Sequence, residues 1–339
     1  MLIAMPYKIL VDKNVKGRIS STIESTKAGK SCSILCSKNL HSVAKQAINE
    51  ISSSFDVELI DPISSEKNYI KNIADRSKTD FFVGIGGGKT IDIAKYAAHA
   101  SEKPWVAFPT ILSHDGVVSS RAVLEDNGSK ISVDAREPVA IIADLSIIKK
   151  SDYKYLSAGL GDLISNFSAV EDWKIADKAG KEKYHEIIGR LSLISAEAVT
   201  AHIPEIRKKD YHGLEILFWS LVSAGFAMNL YGSSRPCSGS EHNISHALDH
   251  KDSTSLHGQQ VALATIISTY LQKGDWQKIR NLLVQASLPI TAKDLGIEKN
   301  KIIEALVDAR NIRKRYTILN KLNLTKTSAE KVLKKVKVI

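Results

Sequence analysis

The stretch Phe81–Asp92, with the sequence FFVGIGGGKTID, passes from an apolar run through three adjacent glycines into a helical pattern. Such a turn lets the backbone approach a phosphate group and points the N–H groups at the start of the helix toward it. Two common phosphate motifs do not fit, because a P-loop needs glycine at position 83 and the dinucleotide fingerprint needs glycine at position 89. We therefore predict a phosphate loop of another kind; the alternative is a tight packing turn without a ligand.

Short apolar runs and amphipathic stretches alternate on both sides of this turn, between about residues 31 and 145. The predicted strands are Cys32–Cys36, Phe55–Ile60, Phe81–Gly84, Trp105–Phe108 and Val139–Ala143. The predicted helices are Leu40–Ile51, Glu66–Ala74 and Ile91–Ala100. This alternation predicts crossover connections and a largely parallel sheet with helices on both faces, whose ligands bind at the carboxyl ends of the strands.

After about Ser151 the strand-like runs disappear and long helical patterns follow. They cover Leu156–Ala176, Glu186–Ala201 and the strongly apolar Leu214–Leu230. Polar residues interrupt the last run, so we expect it to fall short of a membrane span and to be a buried core helix. The sequence thus predicts an α/β nucleotide-binding domain at 1–150 and an all-α domain at 151–339, which share a cleft.

The composition is that of a soluble globular protein, with 339 residues, 43% hydrophobic and 25% charged. The three cysteines cannot form a disulfide framework, and Cys32 and Cys36 fall in a strand-like run. The first residues reach Pro6 and Lys8 too soon for an apolar targeting core. We therefore expect a cytoplasmic protein.

The net charge of +10 is concentrated at the C-terminus, where residues 313–339 contain nine lysines or arginines and one acid, Glu330. The alternation of lysine with apolar residues at 331–338 predicts an amphipathic helix or short strand with a solvated basic face. Peripheral contact with an acidic membrane surface is an alternative. Only Tyr316 offers an aromatic ring among these charges, so we expect no nucleic-acid partner.

A second polar loop, residues 109–120, follows the strand Trp105–Phe108 and by topology lies beside the glycine turn. Its hydroxyl and acidic side chains, among them Thr110, Ser113 and Asp115, are candidates for cofactor and substrate contacts or for turn caps. Asp92, in the helix after the glycines, either caps N–H groups or holds part of a nucleotide.

A group of histidines follows in the helical half. His242, His246 and His250 are spaced i, i+4 and i+8, which places them near one face if the segment is helical, and His257 lies in a following turn. Asp162 comes just after two glycines at 159 and 161 and is either a helix cap or a ligand. Together with His242 and His257 it could form a metal site with a coordination position open to substrate.

Several motifs occur in order along the chain: GGGKTID at 86–92, PT at 109–110 with SHDG at 113–116, GLGD at 159–162, SEH at 240–242 and LHG at 256–258. In this order they resemble the sn-glycerol-1-phosphate dehydrogenases, archaeal in their main form, which belong to the dehydroquinate synthase-like and glycerol dehydrogenase superfamily. The resemblance spans about residues 84–260. It implies an N-terminal nucleotide-binding α/β domain, a helical C-terminal domain and a catalytic divalent metal.

The resemblance also implies roles for single residues. The metal ligands would be Asp162, His242 and His257. The side chains facing the substrate, and so the catalytic ones, would be Asp115, Asp162 and His246, with His246 handling the proton. The residues that would bind NAD or NADP are Gly86, Gly87, Gly88, Lys89, Thr90, Asp92, Thr110, Ser113 and Ser119.

The activity implied is the reversible reduction of dihydroxyacetone phosphate to sn-glycerol 1-phosphate, which supplies the backbone of archaeal phospholipids. Zinc is the first choice of metal, although the same ligands accept iron, nickel or cobalt. The loop after the first predicted strand reads Ser37-Lys38-Asn39 and has no acid to repel a 2′-phosphate, so both NAD and NADP are permitted. We expect a homo-oligomer.

Three alternatives remain open from the sequence. A glycerol or polyol dehydrogenase would use the same metal chemistry without a phosphate, and a dehydroquinate synthase-type lyase would be a different reaction on the same scaffold. A non-catalytic protein that binds nucleic acid or a membrane surface through the basic C-terminus is the third.

Overall fold

The structure, a computed structural model, describes residues 5–251 and 253–339, apart from the side chain of Ser129. The chain forms two compact units that divide between Asp152 and Tyr153. The described strands all belong to the first unit, and the second unit is built from helices.

The first unit contains a six-stranded sheet in which every neighbouring pair of strands is parallel. The strands of this sheet are β1 (Lys8–Asp12), β2 (Ser31–Leu35), β3 (Asp56–Ile60), β4 (Phe81–Gly86), β5 (Trp105–Pro109) and β8 (Ala140–Asp144). Every residue of β4, β5 and β8 is buried, as expected for the central strands of a sheet covered on both faces. The predicted strands are therefore confirmed, and β1 is an edge strand that the sequence pattern did not predict.

The strand order, β1-β8-β5-β4-β2-β3, reverses between β2 and β4. The chain passes from β2 outward to β3 and then returns to the other side of β2 to form β4. Open sheets of this kind bind ligands in the crevice where the order reverses. β4 ends at Gly86, so the glycine turn lies at this reversal.

Helices cover both faces of this sheet. They are α1 (Ile19–Glu24), α2 (His41–Ser52), α3 (Lys67–Arg76), α4 (Gly88–Ala100) and α5 (Leu145–Lys150). Helices α1 and α2 contribute Ile19, Ile23 and Ile51 to an apolar core that also contains Val83 and Val106 of the sheet. Helix α4 begins at Gly88, three residues earlier than predicted, directly after the glycine turn.

A two-stranded antiparallel hairpin, β6 (Arg121–Asp126) and β7 (Ser129–Asp134), stands beside this sheet and packs on α4. Its turn contains Asn127 and Gly128, whose φ angles are 52° and 77°. Positive φ at both positions defines the tight turn that Asn-Gly favours most strongly. This hairpin was not predicted, although the sequence contains the Asn-Gly signal.

The second unit is formed by helices α6 to α16, with short 3-10 turns between some of them. Their bounds are α6 (Tyr153–Ile164), α7 (Asn166–Lys178), α8 (Glu186–Ala201), α9 (Ile203–Lys208), α10 (Tyr211–Tyr231), α11 (Ser240–Asp249), α12 (His257–Leu271), α13 (Trp276–Gln285), α14 (Lys299–Asp308), α15 (Ile318–Leu322) and α16 (Lys326–Lys335). The predicted helix Glu186–Ala201 is confirmed. The helical pattern predicted over 156–176 is confirmed except at Ser165, between the end of α6 and the start of α7, where the hydroxyl donates to the carbonyl of Asp162 (2.6 Å).

Helix α10 is longer than its apolar pattern indicated. By length and composition it could cross a membrane, with a mean hydropathy of 1.4 over 18 residues, so the prediction that this run falls short of a span is wrong. Glu215 is the only Asp, Glu, Lys or Arg residue in α10. However, 67% of that window is buried in the protein, and α10 packs against α8, as the core helix of a globular unit does.

The C-terminal segment is a helix rather than a strand. In α16, Ala329 and Leu333 are buried, and Val336 and Val338 are buried just beyond its end. Glu330 pairs with Lys334 (2.9 Å) and with Lys299 of α14 (2.7 Å) on the outer side. The amphipathic pattern of the sequence thus becomes a packed terminal helix with a basic solvated face.

Candidate active site

The glycine turn joins β4 to α4 at the reversal of the strand order. Gly87 is the N-terminal cap residue of α4, and Gly88 is its first residue. Lys89 is exposed and Thr90 is buried on the same first turn. The N–H groups and the positive end of a 13-residue helix therefore lie where nucleotide phosphates bind in sheets of this class.

Neighbouring side chains pack closely on the three glycines. A Cβ added at Gly86 would lie 2.7 Å from the side chain of Thr90, and one added at Gly87 would lie 2.7 Å from Ile111 Cδ1. A Cβ at Gly88 would overlap Nε2 of His114. The backbone conformation does not itself require glycine at position 87, where φ is −82°. The turn is thus a tight packing element, in which Gly87 and Gly88 remain partly exposed.

The second polar loop does lie beside the glycine turn. The backbone N–H of Thr110 donates to the carbonyl of Gly86 (2.9 Å), and the ring of His114 contacts Gly88. Thr110 and Ser119 are buried, whereas Ser113 and Asp115 are half-buried. The two loops therefore bring most of the predicted nucleotide residues, and Asp115, into one region of the first unit.

Asp92 contacts Lys95 of its own helix and the strand β6 rather than the start of α4. Its Oδ1 lies 3.2 Å from Nζ of Lys95, and its Oδ2 accepts a hydrogen bond from the backbone N–H of Val123 (3.1 Å). The residue is 6% exposed. Its predicted contact with a nucleotide remains a prediction, and the structure shows that both oxygens already have partners.

In the second unit, three helices bring Asp162, His242 and His257 together. Asp162 lies on α6, His242 on α11, and His257 is the first residue of α12. One ligand atom from each residue lies within 4.8 Å of the other two, and His242 Nε2 lies 3.4 Å from Asp162 Oδ1. Two imidazoles and a carboxylate at this spacing match the ligand set of a divalent transition metal.

Both histidines of this cluster are held through Nδ1. His242 Nδ1 lies 3.0 Å from Glu241 Oε1, and His257 Nδ1 lies 2.9 Å from the hydroxyl of Ser245. Such contacts fix the orientation and tautomer of a metal-binding imidazole and direct Nε2 to the ion. Burial alone would lower the pKa of His242, but the hydrogen bonds with Asp162 and Glu241 outweigh it and raise the pKa to about 9. These surroundings therefore favour a positive charge at this ring, as a bound cation provides.

Glu241 is fully buried, and the sequence analysis gave it no role. Oε1 also accepts the backbone N–H of Gly239 (2.5 Å), and Oε2 accepts the hydroxyl of Ser168 (2.8 Å). Although burial raises the pKa of Glu241, the hydrogen bond from His242 helps to lower it below its ordinary value. Glu241 is thus a carboxylate that orients His242, a predicted metal ligand, and only its adjacency to His242 in the sequence pointed to it.

His246 lies one turn after His242 on α11. Its ring stacks on that of His257, with centroids 5.5 Å apart, and its Nε2 is buried without a hydrogen-bond partner among the described residues. Burial lowers its pKa well below 6.5, and the positive charge of Arg313 lowers it further. His250, by contrast, is an exposed residue at the C-terminal cap of α11.

The comparisons with known proteins agree with this arrangement. Residues 10–151 match the family model described as iron-containing alcohol dehydrogenase. The chain is 40% identical to the glycerol-1-phosphate dehydrogenase [NAD(P)+] of Thermococcus sibiricus, over 98% of this chain and 97% of that protein. It is 39% identical to the enzyme of the same name from Thermococcus kodakarensis, with the same coverage. The chain belongs to the glycerol-1-phosphate dehydrogenase family. The family predicted from the order of the motifs is therefore confirmed.

Solved structures show that the fold extends beyond this dehydrogenase family. Glycerol dehydrogenase from Schizosaccharomyces pombe superimposes with a TM-score of 0.81 at 20% identity, covering 99% of this chain and 90% of that one. Sulfoacetaldehyde reductase from Bifidobacterium kashiwanohense, solved with NAD+, gives 0.76 at 17% identity, with 99% of both chains covered. The predicted dehydroquinate synthase-like fold, with a parallel-sheet half and a helical half, is confirmed.

Proposed function

We propose that this chain catalyses the reversible, metal-dependent reduction of dihydroxyacetone phosphate to sn-glycerol 1-phosphate with NADH or NADPH. One observation carries the proposal: the cluster Asp162, His242 and His257, which could hold a metal, is assembled in a chain that matches Thermococcus proteins named glycerol-1-phosphate dehydrogenase over 97% of their length. The product would serve as the backbone of archaeal phospholipids.

The residues present fit the groups that this reaction needs. A divalent metal would be held by the Asp162 carboxylate and the imidazoles of His242 and His257, which Glu241 and Ser245 orient. A dinucleotide would be held by the backbone of the glycine turn at the reversal of the strand order. When bound, the metal supplies Lewis acidity that polarises a substrate carbonyl, and the nicotinamide supplies the hydride.

The remaining chemical requirement is a proton, and His246 is the side chain placed to move it. Its Nε2 is buried close to His257 and has no hydrogen-bond partner among the residues that the structure describes. In the direction of ketone reduction, His246 gives a proton to the oxygen that becomes the product hydroxyl; in the reverse direction it accepts that proton. Asp115 and Asp162 complete the set of residues that we propose to face the substrate.

We expect His246→Ala to keep the metal and to lose rate. Removing a general acid or base lowers kcat by about 10²- to 10⁴-fold, whereas the three metal ligands are untouched. Metal content by mass spectrometry and steady-state kcat measure the two effects separately. His250→Ala, an exposed change on the same helix, is the matched control, and a His246→Ala enzyme with unchanged kcat would remove His246 from proton transfer.

The overall proposal is tested by NADH and NADPH oxidation with dihydroxyacetone phosphate, before and after chelation and with metals added back, together with the chirality of the product. We expect kcat/KM for dihydroxyacetone phosphate to exceed that for dihydroxyacetone by about tenfold or more, because a charged contact with the phosphate is lost in the smaller ketone. A preference for dihydroxyacetone would instead indicate a polyol dehydrogenase. A lyase would give no net consumption of NADH.

The same assay with different metals and nucleotides tests which metal and which nucleotide the enzyme uses. We propose zinc as the metal. If iron, nickel or cobalt restores more activity to the metal-free enzyme than zinc does, that metal replaces zinc in the proposal. The segment after β2 carries the exposed Lys38 and no acid at positions 37–39, which supports use of NADP as well as NAD.

We further propose a cytoplasmic homo-oligomer without a nucleic-acid partner. The basic face of α16 supports peripheral contact with an acidic membrane, where a lipid precursor would be consumed. Truncation of residues 325–339 is a poor test of this contact, because it would expose the core against which Leu333 packs. Replacing exposed lysines such as Lys331 and Lys335 by glutamine, followed by sedimentation with anionic vesicles, tests it without removing the helix.

A further inference from the structure

Lys95 is a fully buried lysine in the middle of α4, and the reaction chemistry gives it no role. Its ammonium group donates to the backbone carbonyls of Gly116 and Arg121, the latter at 2.6 Å, and pairs with Asp92 Oδ1 at 3.2 Å. An ammonium has three N–H donors, and a buried charge is costly unless it is paired and hydrogen-bonded. Three oxygens around this one group therefore satisfy it: one belongs to Gly116 in the second polar loop, one to Arg121 at the start of β6, and one to Asp92 of α4 itself.

Asp92 adds another attachment to the same segment. While Oδ1 faces Lys95, Oδ2 accepts the N–H of Val123. The two side chains thus hold the backbone at residues 116, 121 and 123. Between these points lies Ser119, and directly before them lies Asp115, which are two of the residues expected to meet nucleotide and substrate.

Helix α4 connects this attachment to the glycine turn. Its first residues, Gly88, Lys89 and Thr90, form one side of the predicted nucleotide site, and Asp92 and Lys95 follow within two turns. A single rigid helix therefore fixes the distance between the glycine turn and the loop that carries Ser119. Holding binding groups in place before the ligand arrives lowers the ordering cost of binding.

We propose that Lys95, with Asp92, is a positioning residue that holds the segment 115–121 against α4 and thereby sets the affinity for the nucleotide. The identity of the ligand rests on the proposed function; the anchoring of the segment does not. Lys95 touches neither reacting group in this proposal, and its effect on binding passes through the backbone of the loop.

The test is Lys95→Met, which keeps an unbranched side chain and removes the charge and its donors. Hydrogen–deuterium exchange is followed without ligand, and the Kd for NADPH is measured by fluorescence. We expect amides of residues 113–123 to exchange faster while β4 and β5 keep their protection, because only the loop loses its anchors. The Kd for NADPH should rise by about tenfold or more, and metal affinity should be unchanged because its ligands lie on α6, α11 and α12.

Lys103→Met is the matched control. Lys103 also donates from Nζ to a backbone carbonyl, that of Ser77 (2.8 Å), but it is not attached to the second loop. Exchange in 113–123 should stay at the wild-type rate in this variant. A general loss of stability, without the local change, would show up equally in both variants.

If Lys95→Met does not fold, the double variant Asp92→Asn, Lys95→Met removes both charges and keeps an oxygen for Val123. Wild-type exchange in 113–123 together with a wild-type Kd for NADPH, in either Lys95 variant, would overturn the proposal. If the unmodified protein binds no nucleotide, the proposed function fails, and the exchange measurement alone still decides whether Lys95 anchors the loop.

Discussion

His242→Ala is expected to remove the metal and the activity together. His242 Nε2 lies 3.4 Å from Asp162 Oδ1 in the proposed metal site, and Glu241 holds the opposite side of the ring through Nδ1. Loss of a residue that merely orients a ligand already costs about 10- to 100-fold in metal affinity, so loss of a ligand should cost more than about 100-fold. Metal content after equilibrium dialysis and NAD(P)H oxidation by the same sample measure both losses.

A second substitution separates loss of the ligand from damage to the buried network. His242→Ala also deprives the buried Glu241 carboxylate of one donor, at a cost of about 1–3 kcal/mol in the free energy of unfolding. His242→Asn retains an N–H near the position of Nδ1 but has no group at the position of Nε2. We expect both variants to lose the metal and only the alanine variant to lose that additional stability. Full metal content and turnover in either variant, with His250→Ala as control, would contradict the assigned ligand set.

The parallel sheet could be predicted because its central strands are apolar along their whole length and alternate with amphipathic helices. Strand β1 was not predicted, although its sequence contains the apolar run Ile9, Leu10 and Val11. The hairpin β6–β7 could have been predicted, since Asn127-Gly128 is a strong turn signal. It was missed because its strands mix polar and apolar residues. The interruption at Ser165, between α6 and α7, is not marked by the helical periodicity of the sequence.

In the candidate active site, too, some residues could be predicted from the sequence and others could not. The sequence predicted that Asp162, His242 and His257 come together, because metal ligands must be particular residue types. The residues that orient them follow no such rule: Ser245 reaches His257 from the neighbouring helix, and Lys95 contacts carbonyl oxygens of residues 21 and 26 positions away. A backbone carbonyl exists at every position, so no pattern of residue types marks the one that a side chain will contact.

Two glycines that position the predicted metal ligands are an exception, because their residue type is recognisable in the sequence. Gly161 precedes Asp162 and Gly258 follows His257, and the two glycines face each other where α6 meets α12. A Cβ at Gly161 would lie 2.5 Å from the carbonyl oxygen of Gly258. The backbones of the two helices are therefore in direct contact at these glycines, and each glycine lies beside a predicted metal ligand. The spacing of Asp162 and His257 thus depends on residues that bind nothing themselves.

Gly258→Ala is accordingly expected to weaken metal binding without altering any ligand. The new Cβ would overlap the carbonyl oxygen of Ala158 and lie 2.6 Å from its carbonyl carbon, and backbone atoms of a helix cannot turn aside as a side chain can. Helices α6 and α12 must then move apart, which should cost about 1–3 kcal/mol of stability and separate His257 from Asp162. Metal titration and thermal unfolding of the metal-free protein measure the two effects. Gln259→Ala, on the same turn of α12, is the control; wild-type metal affinity in a folded Gly258→Ala protein would show that the close approach is not what sets the site.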